Sequence, residues 1–524
     1  MSALAQHQQL VQALLRQFQA SDPSARLIET HISSVILAGE FAYKLKKPVD
    51  FGFLNFSERA QRQHFCHEEL RLNQSLSDGL YLRVTPISGC AEHPILDGAG
   101  EAIESAIVMQ RFADGARLDE VLAHEGLALE HMDELADKLA TFHQHAPHAA
   151  MESELGEPAS VYFPMAQNFE QIKPLLETDN HERHAQLERL RLWTEAAYAR
   201  LQPLLAARKR DGFVRELHGD MHLGNMARID GSSASKIIIF DAIEFNDSFR
   251  WIDVMSELAF LLMDLQDRQL PAHANRLLNR YLERSGDYAG LVLLHFYQTY
   301  RAMVRAKVAL LGVAFGGSEE QIAAARAQYA RYVDLAESYT QTLKPQLIIT
   351  HGYSASGKSR AAMILAESLG LIRIRADIER QRLFSQPEHR ASELNSGRYS
   401  PEATLQTYQR LLELAQAVLE SGRGVVLDAT YLKIQQRQAA WQLAQNQGIS
   451  FHILHMECND QILRQRLLTR AQQGDDVSEA TLDVLKAQKA HAEELSTDEM
   501  RLTFRLQCDA PAEAQIFSMV QAIK

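Results

Sequence analysis

The chain has 524 residues, more than one core ordinarily serves, so two or three domains are expected. Its 46% hydrophobic and 23% charged residues are those of a soluble globular protein, and a net charge of -13 argues against duplex nucleic acid as a default partner, whose binding rests on basic contacts to phosphate. The four cysteines, Cys66, Cys90, Cys458 and Cys508, form no C-x-x-C pair, which argues against a disulfide framework and a structural zinc site and favours a reducing, cytoplasmic setting.

The first residues lack a basic flank followed by an apolar block and read as an amphipathic helix. Residues 33–37 and 41–46 read as strands joined at Ala38-Gly39-Glu40, 57–76 as a helix and 104–110 as a further strand. From about 117 to 205 the pattern is mostly helical, a strand-loop-strand unit follows at 213–241, and helical patterns return from about 251 to 340. The most apolar run, 258–263, is bounded by Glu257 and Asp264 and is too short to span a bilayer. From about 346 the short apolar segments LIITHGY, LIRIRA, GVVLDAT and SFHILHM alternate with helices, the pattern of a parallel sheet covered by helices. Pro345 sits at the join, so the expected domains are 1–340 and 346–524.

The first stretch that carries chemistry is His218-Gly219-Asp220-Met221-His222-Leu223-Gly224-Asn225, followed by an apolar strand ending at Asp241. Read alone, His218, Asp220 and His222 are transition-metal ligands or polar residues of a turn, but alternate positions on a tight loop suit a metal poorly. The stretch resembles the H-G-D-x-x-x-x-N catalytic loop of aminoglycoside phosphotransferases and their choline-kinase relatives. The resemblance covers about 25–335 and implies an α+β protein-kinase-like bilobal fold, with a small lobe of about 1–112 and a large lobe of about 113–340. In such a site Asp220 takes the proton of an acceptor hydroxyl, while Asn225 and Asp241 hold Mg²⁺. The resemblance further implies a strand lysine on the ATP phosphates, Lys44 ahead of Lys46, paired with Glu69 or Glu68 from the next helix. It also implies a hinge at Met109 that meets adenine, and Asp253 as a brace for the catalytic loop. The bland reading of Lys44 and Lys46 is a sheet edge guarded by charge. No G-x-G-x-x-G loop precedes Lys44, and only Gly39 stands near, which favours a small-molecule kinase over a protein kinase.

The second stretch, Gly352-Tyr353-Ser354-Ala355-Ser356-Gly357-Lys358-Ser359, fits the P-loop pattern G-x-x-x-x-G-K-S/T. It follows an apolar strand and opens a helix at Arg360, so backbone N–H groups and the helix N-terminus meet phosphate, Lys358 reaches the outer phosphates and Ser359 holds Mg²⁺. Asp428 ends a later apolar strand, where an acid orients the metal. Asp377 suits a general base, with Arg380 steadying a phosphate or acidic substrate group; the alternative is a charged helix start. Arg464, Arg466 and Arg470 lie on a basic helix, either a lid over phosphates or a solvated face. Residues 346–524 resemble the small P-loop kinases, with Asp377 and Arg380 similar to the D-x-x-R of phage-type polynucleotide kinases and of gluconate-kinase-like and zeta-toxin-like proteins. That resemblance implies an α/β P-loop fold with a parallel sheet.

The whole arrangement looks like a bacterial fusion of the two kinase types. It implies a bifunctional phosphotransferase using ATP and Mg²⁺ on the hydroxyl of a small-molecule acceptor. The alternatives are a regulatory ATP-binding protein with one catalytic half, and a kinase for 5′-hydroxyl nucleic-acid ends.

Overall fold

The computed structural model describes residues 2–52, 54–230, 235–314, 316–341, 344–384, 400–473 and 481–523. Its contacts divide the chain into two units, Met1–Asp264 with Phe296–Ala336, and Leu265–His295 with Glu337–Lys524.

Unit 1 has the bilobal α+β protein-kinase-like fold. Its small lobe is an antiparallel sheet of six strands, β1 (Arg26–Glu29), β2 (Ser33–Ala38), β3 (Phe41–Lys46), β4 (Tyr81–Gly89), β5 (Pro94–Leu96) and β6 (Glu104–Gln110), in the order β1-β2-β3-β6-β4-β5. β2, β3 and β6 alternate or run apolar and are readable from sequence. β1 is mostly exposed, β5 has three residues and β4 contains Pro86, so none of these shows a clean strand pattern. The N-terminal helix Ala3–Ser21 starts where the Ser2 side chain accepts from the Ala5 N–H, and it lays Leu10, Val11 and Leu14 against Ile36, Leu45 and Ile87 of the sheet. Helix Arg59–Asn73 opens with a capping box between Glu58 and Gln61 and packs on β4 and β6 with Cys66, Glu69 and Asn73 buried.

The large lobe is helical around two short strand pairs, β7 (Val214–Glu216) with β10 (Trp251–Asp253), and β8 (Met226–Asp230) with β9 (Ser235–Ile239). A loop between β7 and β8 and the end of β9 carry the polar residues singled out above. Among the described residues no helix is long and apolar enough to cross a membrane.

Unit 2 is an α/β P-loop fold. Its five strands, β11 (Gln346–His351), β12 (Ile372–Arg375), β13 (Val425–Asp428), β14 (Ser450–Glu457) and β15 (Thr503–Gln507), pair in parallel in the order β12-β13-β11-β14-β15. The core sets Ile348, Val426 and Leu454 of the central strands against Ala361 and Leu365 of helix Lys358–Leu369 and against Ile516 and Val520 of the last helix.

Helix Pro271–Ser285 belongs to unit 2, within the segment Leu265–His295 that is flanked on both sides by unit 1. It covers the β12 edge. Asn275 and Asn279 donate from Nδ2 to the Leu371 carbonyl at 3.1 and 3.0 Å, Asn279 Oδ1 accepts from the Arg373 N–H at 2.6 Å, and Glu283 pairs with the Arg373 guanidinium at 2.6 Å. The division at 340–346 expected from Pro345 does not capture this excursion.

The cysteines also depart from expectation. Cys458 and Cys508 form a disulfide across a sequence separation of 50. Both stand just beyond the C-terminal ends of β14 and β15, which are sheet neighbours, so distance along the chain said nothing about distance in space. Cys66 and Cys90 are free, the first buried and the second exposed.

Candidate active sites

In unit 1, β3 points Lys44 and Lys46 to one face, toward helix Arg59–Asn73. Glu69 of that helix receives both, Lys44 on Oε1 and Lys46 on Oε2, each at 2.7 Å. The second partners differ: Lys44 reaches Asp241, and Lys46 reaches Glu244. The Lys46 and Glu69 side chains are 0% exposed, Lys44 is 10% and Asp241 is 47%, so the ion cluster opens toward solvent at Lys44 and Asp241. Burial disfavours the Lys44 charge, but Asp241 and Glu69 outweigh it and hold the ammonium well above its ordinary range. Burial likewise raises Glu69, and Lys44 and Lys46 overcome it and draw the carboxyl down to about 2. Glu68 turns away to Arg71.

Two side chains that the sequence reading missed tie the helix to the Asp241 turn. Tyr81 Oη donates to Glu69 Oε1 at 3.2 Å and accepts from the Asp241 N–H at 3.2 Å. Asn73 donates to the Glu69 carbonyl at 2.8 Å and accepts from the Ala242 N–H at 3.1 Å. Tyr81 lies on β4, a strand without a readable pattern, and Asn73 ends a charged helix; neither carried a signal. Asp241 holds a φ of 67°, a left-handed conformation unusual outside glycine. Met109, near the end of β6, packs against the buried cluster that holds Leu80, Tyr81 and Ala227.

The loop 217–225 is shaped by its own polar groups. His218 Nδ1 accepts from the Asp220 N–H at 3.2 Å, which leaves Nε2 to donate to the Phe240 carbonyl at 2.8 Å. Gly219 has a φ of 85°, and a Cβ there would stand 2.7 Å from the Phe249 carbonyl oxygen, so glycine is required. Asn225 Nδ2 donates to the Asp220 carbonyl and to Asp220 Oδ2, both at 3.0 Å, and the Asn225 carbonyl accepts from the Phe240 N–H at 3.0 Å. Asp220, Asn225 and Asp241 are thus brought to one end of β8 and β9. The Asp220 side chain is 37% exposed, with His222 Nε2 at 3.4 Å. Burial raises the Asp220 carboxyl; the charge and hydrogen bond of His222, then Arg305 and His218, outweigh it and hold it well below the usual carboxylate range.

The brace of this loop is not Asp253. That carboxylate is taken by the Arg208 fork at 2.7 and 2.9 Å and caps the Met255 N–H. Glu257, one turn into helix Val254–Asp267, accepts from the His218 and Gly219 N–H groups at 3.1 and 2.7 Å, and Asp264 accepts from the Leu223 N–H at 3.0 Å.

In unit 2 the P-loop carries left-handed backbone at Gly352, Ala355 and Gly357, with φ of 138°, 64° and 97°. Lys358 Nζ donates to the Tyr353 carbonyl at 2.7 Å, and Gln488 bridges the Ser354 N–H and hydroxyl. The Ser356 hydroxyl and Asp428 Oδ2 are buried with no hydrogen-bond partner among the described residues, while Ser359 is exposed. Asp377 lies beside Arg380, 3.6 Å away. Burial raises its carboxyl; Arg380 opposes this, Asp428 adds to it, and Arg375 and Lys358 oppose it, so these groups share one electrostatic environment.

The basic residues separate. Arg466 donates to the Ala355 carbonyl at 3.3 Å and to the Cys508 carbonyl at 2.7 Å, which sets it against the P-loop. Arg464 is exposed, Arg360 pairs with Glu513 on the surface, and the Arg470 side chain lies outside the described residues.

A family model described as an AAA domain matches residues 347–495. The uncharacterized proteins Rv2004c of Mycobacterium tuberculosis and Mb2027c of Mycobacterium bovis are each 30% identical to the chain over 476 residues, 90% of this chain and 91% of theirs. Among solved structures, a choline/ethanolamine kinase family protein from Mesorhizobium loti is 10% identical, with a TM-score of 0.32, over 63% of this chain and 99% of that one. A sugar kinase from Janibacter sp. is 21% identical, with a TM-score of 0.26, over 34% of this chain and 94% of that one.

Proposed function

We propose a function for a chain that belongs to the family of these mycobacterial proteins: it is a bifunctional, ATP-dependent phosphotransferase, each unit moving the γ-phosphoryl group of ATP to a hydroxyl. The observation that carries the reading is that each unit sets an exposed or half-exposed carboxylate, Asp220 or Asp377, beside a lysine-bearing phosphate site with a further acid, Asp241 or Asp428.

The donor sets suit Mg²⁺. In unit 1 Asn225 and the outward carboxylate of Asp241 offer oxygens, and in unit 2 the exposed Ser359 hydroxyl and the orphaned Asp428 Oδ2 do so. The ion, when bound, neutralises charge on the β- and γ-phosphates. Lys44, fixed by Glu69, binds phosphate oxygens in unit 1; in unit 2 Lys358 exchanges the Tyr353 carbonyl for the outer phosphates. Asp220 stays ionised through the neutral range, so it orients the acceptor hydroxyl as a hydrogen-bond acceptor and takes the proton late, as a loose transition state allows. Asp377, raised by burial, is the stronger base, and Arg380 and Arg466 meet anionic groups. The acceptors are small hydroxylated molecules rather than nucleic acid, in keeping with the net charge of -13. The cytoplasm is the location that goes with ATP as donor.

ATP turnover of the intact chain tests this against Asp220→Ala, Lys358→Ala and the double variant. Each single change should remove one share and the double change nearly all; equal turnover in the three variants would sink the reading.

A further inference from the structure

On helix Leu294–Leu311, Arg301 and Arg305 lie four residues apart and so share a face. Arg301 fixes where that face points. It is buried, donates to the Gly219 carbonyl at 3.0 Å and to Ser256 Oγ at 3.1 Å, and lies 5.0 Å from the centre of the Phe260 ring. The face is therefore docked on the loop that carries Asp220.

One turn on, Arg305 is partly buried and its charge acts on Asp220 and Asp264. Those carboxylates are already engaged, Asp220 by Asn225 and His222, Asp264 by the Leu223 N–H. Arg305 Nε donates to Tyr332 Oη at 3.4 Å, and the Tyr332 ring centre is 5.9 Å from the guanidinium. Among the described residues Arg305 has no carboxylate in ion-pair contact. A guanidinium has five N–H donors in a rigid fork, and a single phenol leaves most of them to solvent or to a ligand. The fork matches a carboxylate or phosphate group, which it binds bidentately.

We propose that the acceptor of unit 1 is an anion, a small hydroxylated molecule whose carboxylate or phosphate group seats on Arg305 while its hydroxyl faces Asp220. This rests on the reading of unit 1 as a phosphotransferase and adds the substrate class.

The test uses the full chain carrying Lys358→Ala, so that transfer reports unit 1. Transfer from labelled ATP is measured to two carboxylates (glycerate, gluconate), two phosphates (glycerol 3-phosphate, glucose 6-phosphate), their neutral parents glycerol and glucose, and the cations choline and ethanolamine. An anionic member should be the preferred acceptor, and the better of the two anion types names the group. In that chain Arg305→Gln should raise the KM for this acceptor by about 10-fold or more, with the KM for ATP unchanged and partial recovery in Arg305→Lys. Preference for a neutral or cationic member, or an unmoved acceptor KM in Arg305→Gln, overturns the inference and leaves the phosphotransferase reading intact. Transfer to none of them, with no ATP turnover, overturns both.

Discussion

His351 and His455 stand opposite each other at the C-terminal ends of β11 and β14, their Nδ1 atoms 2.6 Å apart, so one ring donates and the other accepts. Burial is the main force that lowers both; for His351 the nearby His455, Arg437 and Lys358 add to it and take it to about 3. The unfolded chain therefore binds protons that the folded chain refuses. The sign follows: this contribution to stability is whole above the ordinary histidine value of 6.5 and is lost as pH falls from there toward 3. The melting temperature of unit 2 should drop on acidification through this window, by up to about 1.4 kcal/mol of stability per pH unit for each ring. His351→Asn should flatten the slope measured by thermal melts across pH, and an unchanged slope contradicts the account. Other residues were only half legible. Lys44 and Lys46 were visible as a pair on one strand face, but periodicity cannot say which of two equivalent positions lies under Asp241. That choice is made by Glu244, which occupies Lys46 from a turn nearly two hundred residues away.

At the scale of elements, helix Val254–Asp267 organises the 217–225 loop of unit 1. Glu257 and Asp264 are seven residues apart, two turns of one face, and both carboxylates end on loop N–H groups. Glu257→Ala leaves two buried backbone donors without their acceptor, which should cost about 2–4 kcal/mol in denaturant unfolding and lower the ATP turnover of unit 1. Glu257→Gln, which keeps one acceptor oxygen, should lie between. Asp253→Asn should weaken folding through the Arg208 pair while the loop hydrogen bonds stay in place. The helix itself was plain from its apolar run. Which of its acids reaches the loop was not, because Asp253 and Glu257 stand at neighbouring turns and only the packing angle decides between them.

The two units are interleaved in sequence, and a cut near the Pro345 join does not separate them. Such a cut strips helix Pro271–Ser285 from the β12 edge and leaves the Arg373 N–H, the Leu371 carbonyl and the Arg373 side chain without Asn279, Asn275 and Glu283. A 346–524 fragment should therefore unfold at lower denaturant than unit 2 does in the whole chain, with aggregation through the bared edge. Equal midpoints would mean that the helix contributes nothing there. Both fold classes were readable, since a P-loop between strand and helix and an H-G-D loop before an apolar strand are local patterns. The excursion was not, because an amide side chain meeting a strand edge some ninety residues onward leaves no mark on periodicity.

The bond between Cys458 and Cys508 makes a covalent ring out of the arginine-bearing helix and everything up to the last strand. Proteolysis inside that ring opens it without releasing a piece, and the two ends part only after a thiol reductant acts. A nicked molecule thus keeps Arg464 and Arg466 tethered to the sheet that carries the P-loop.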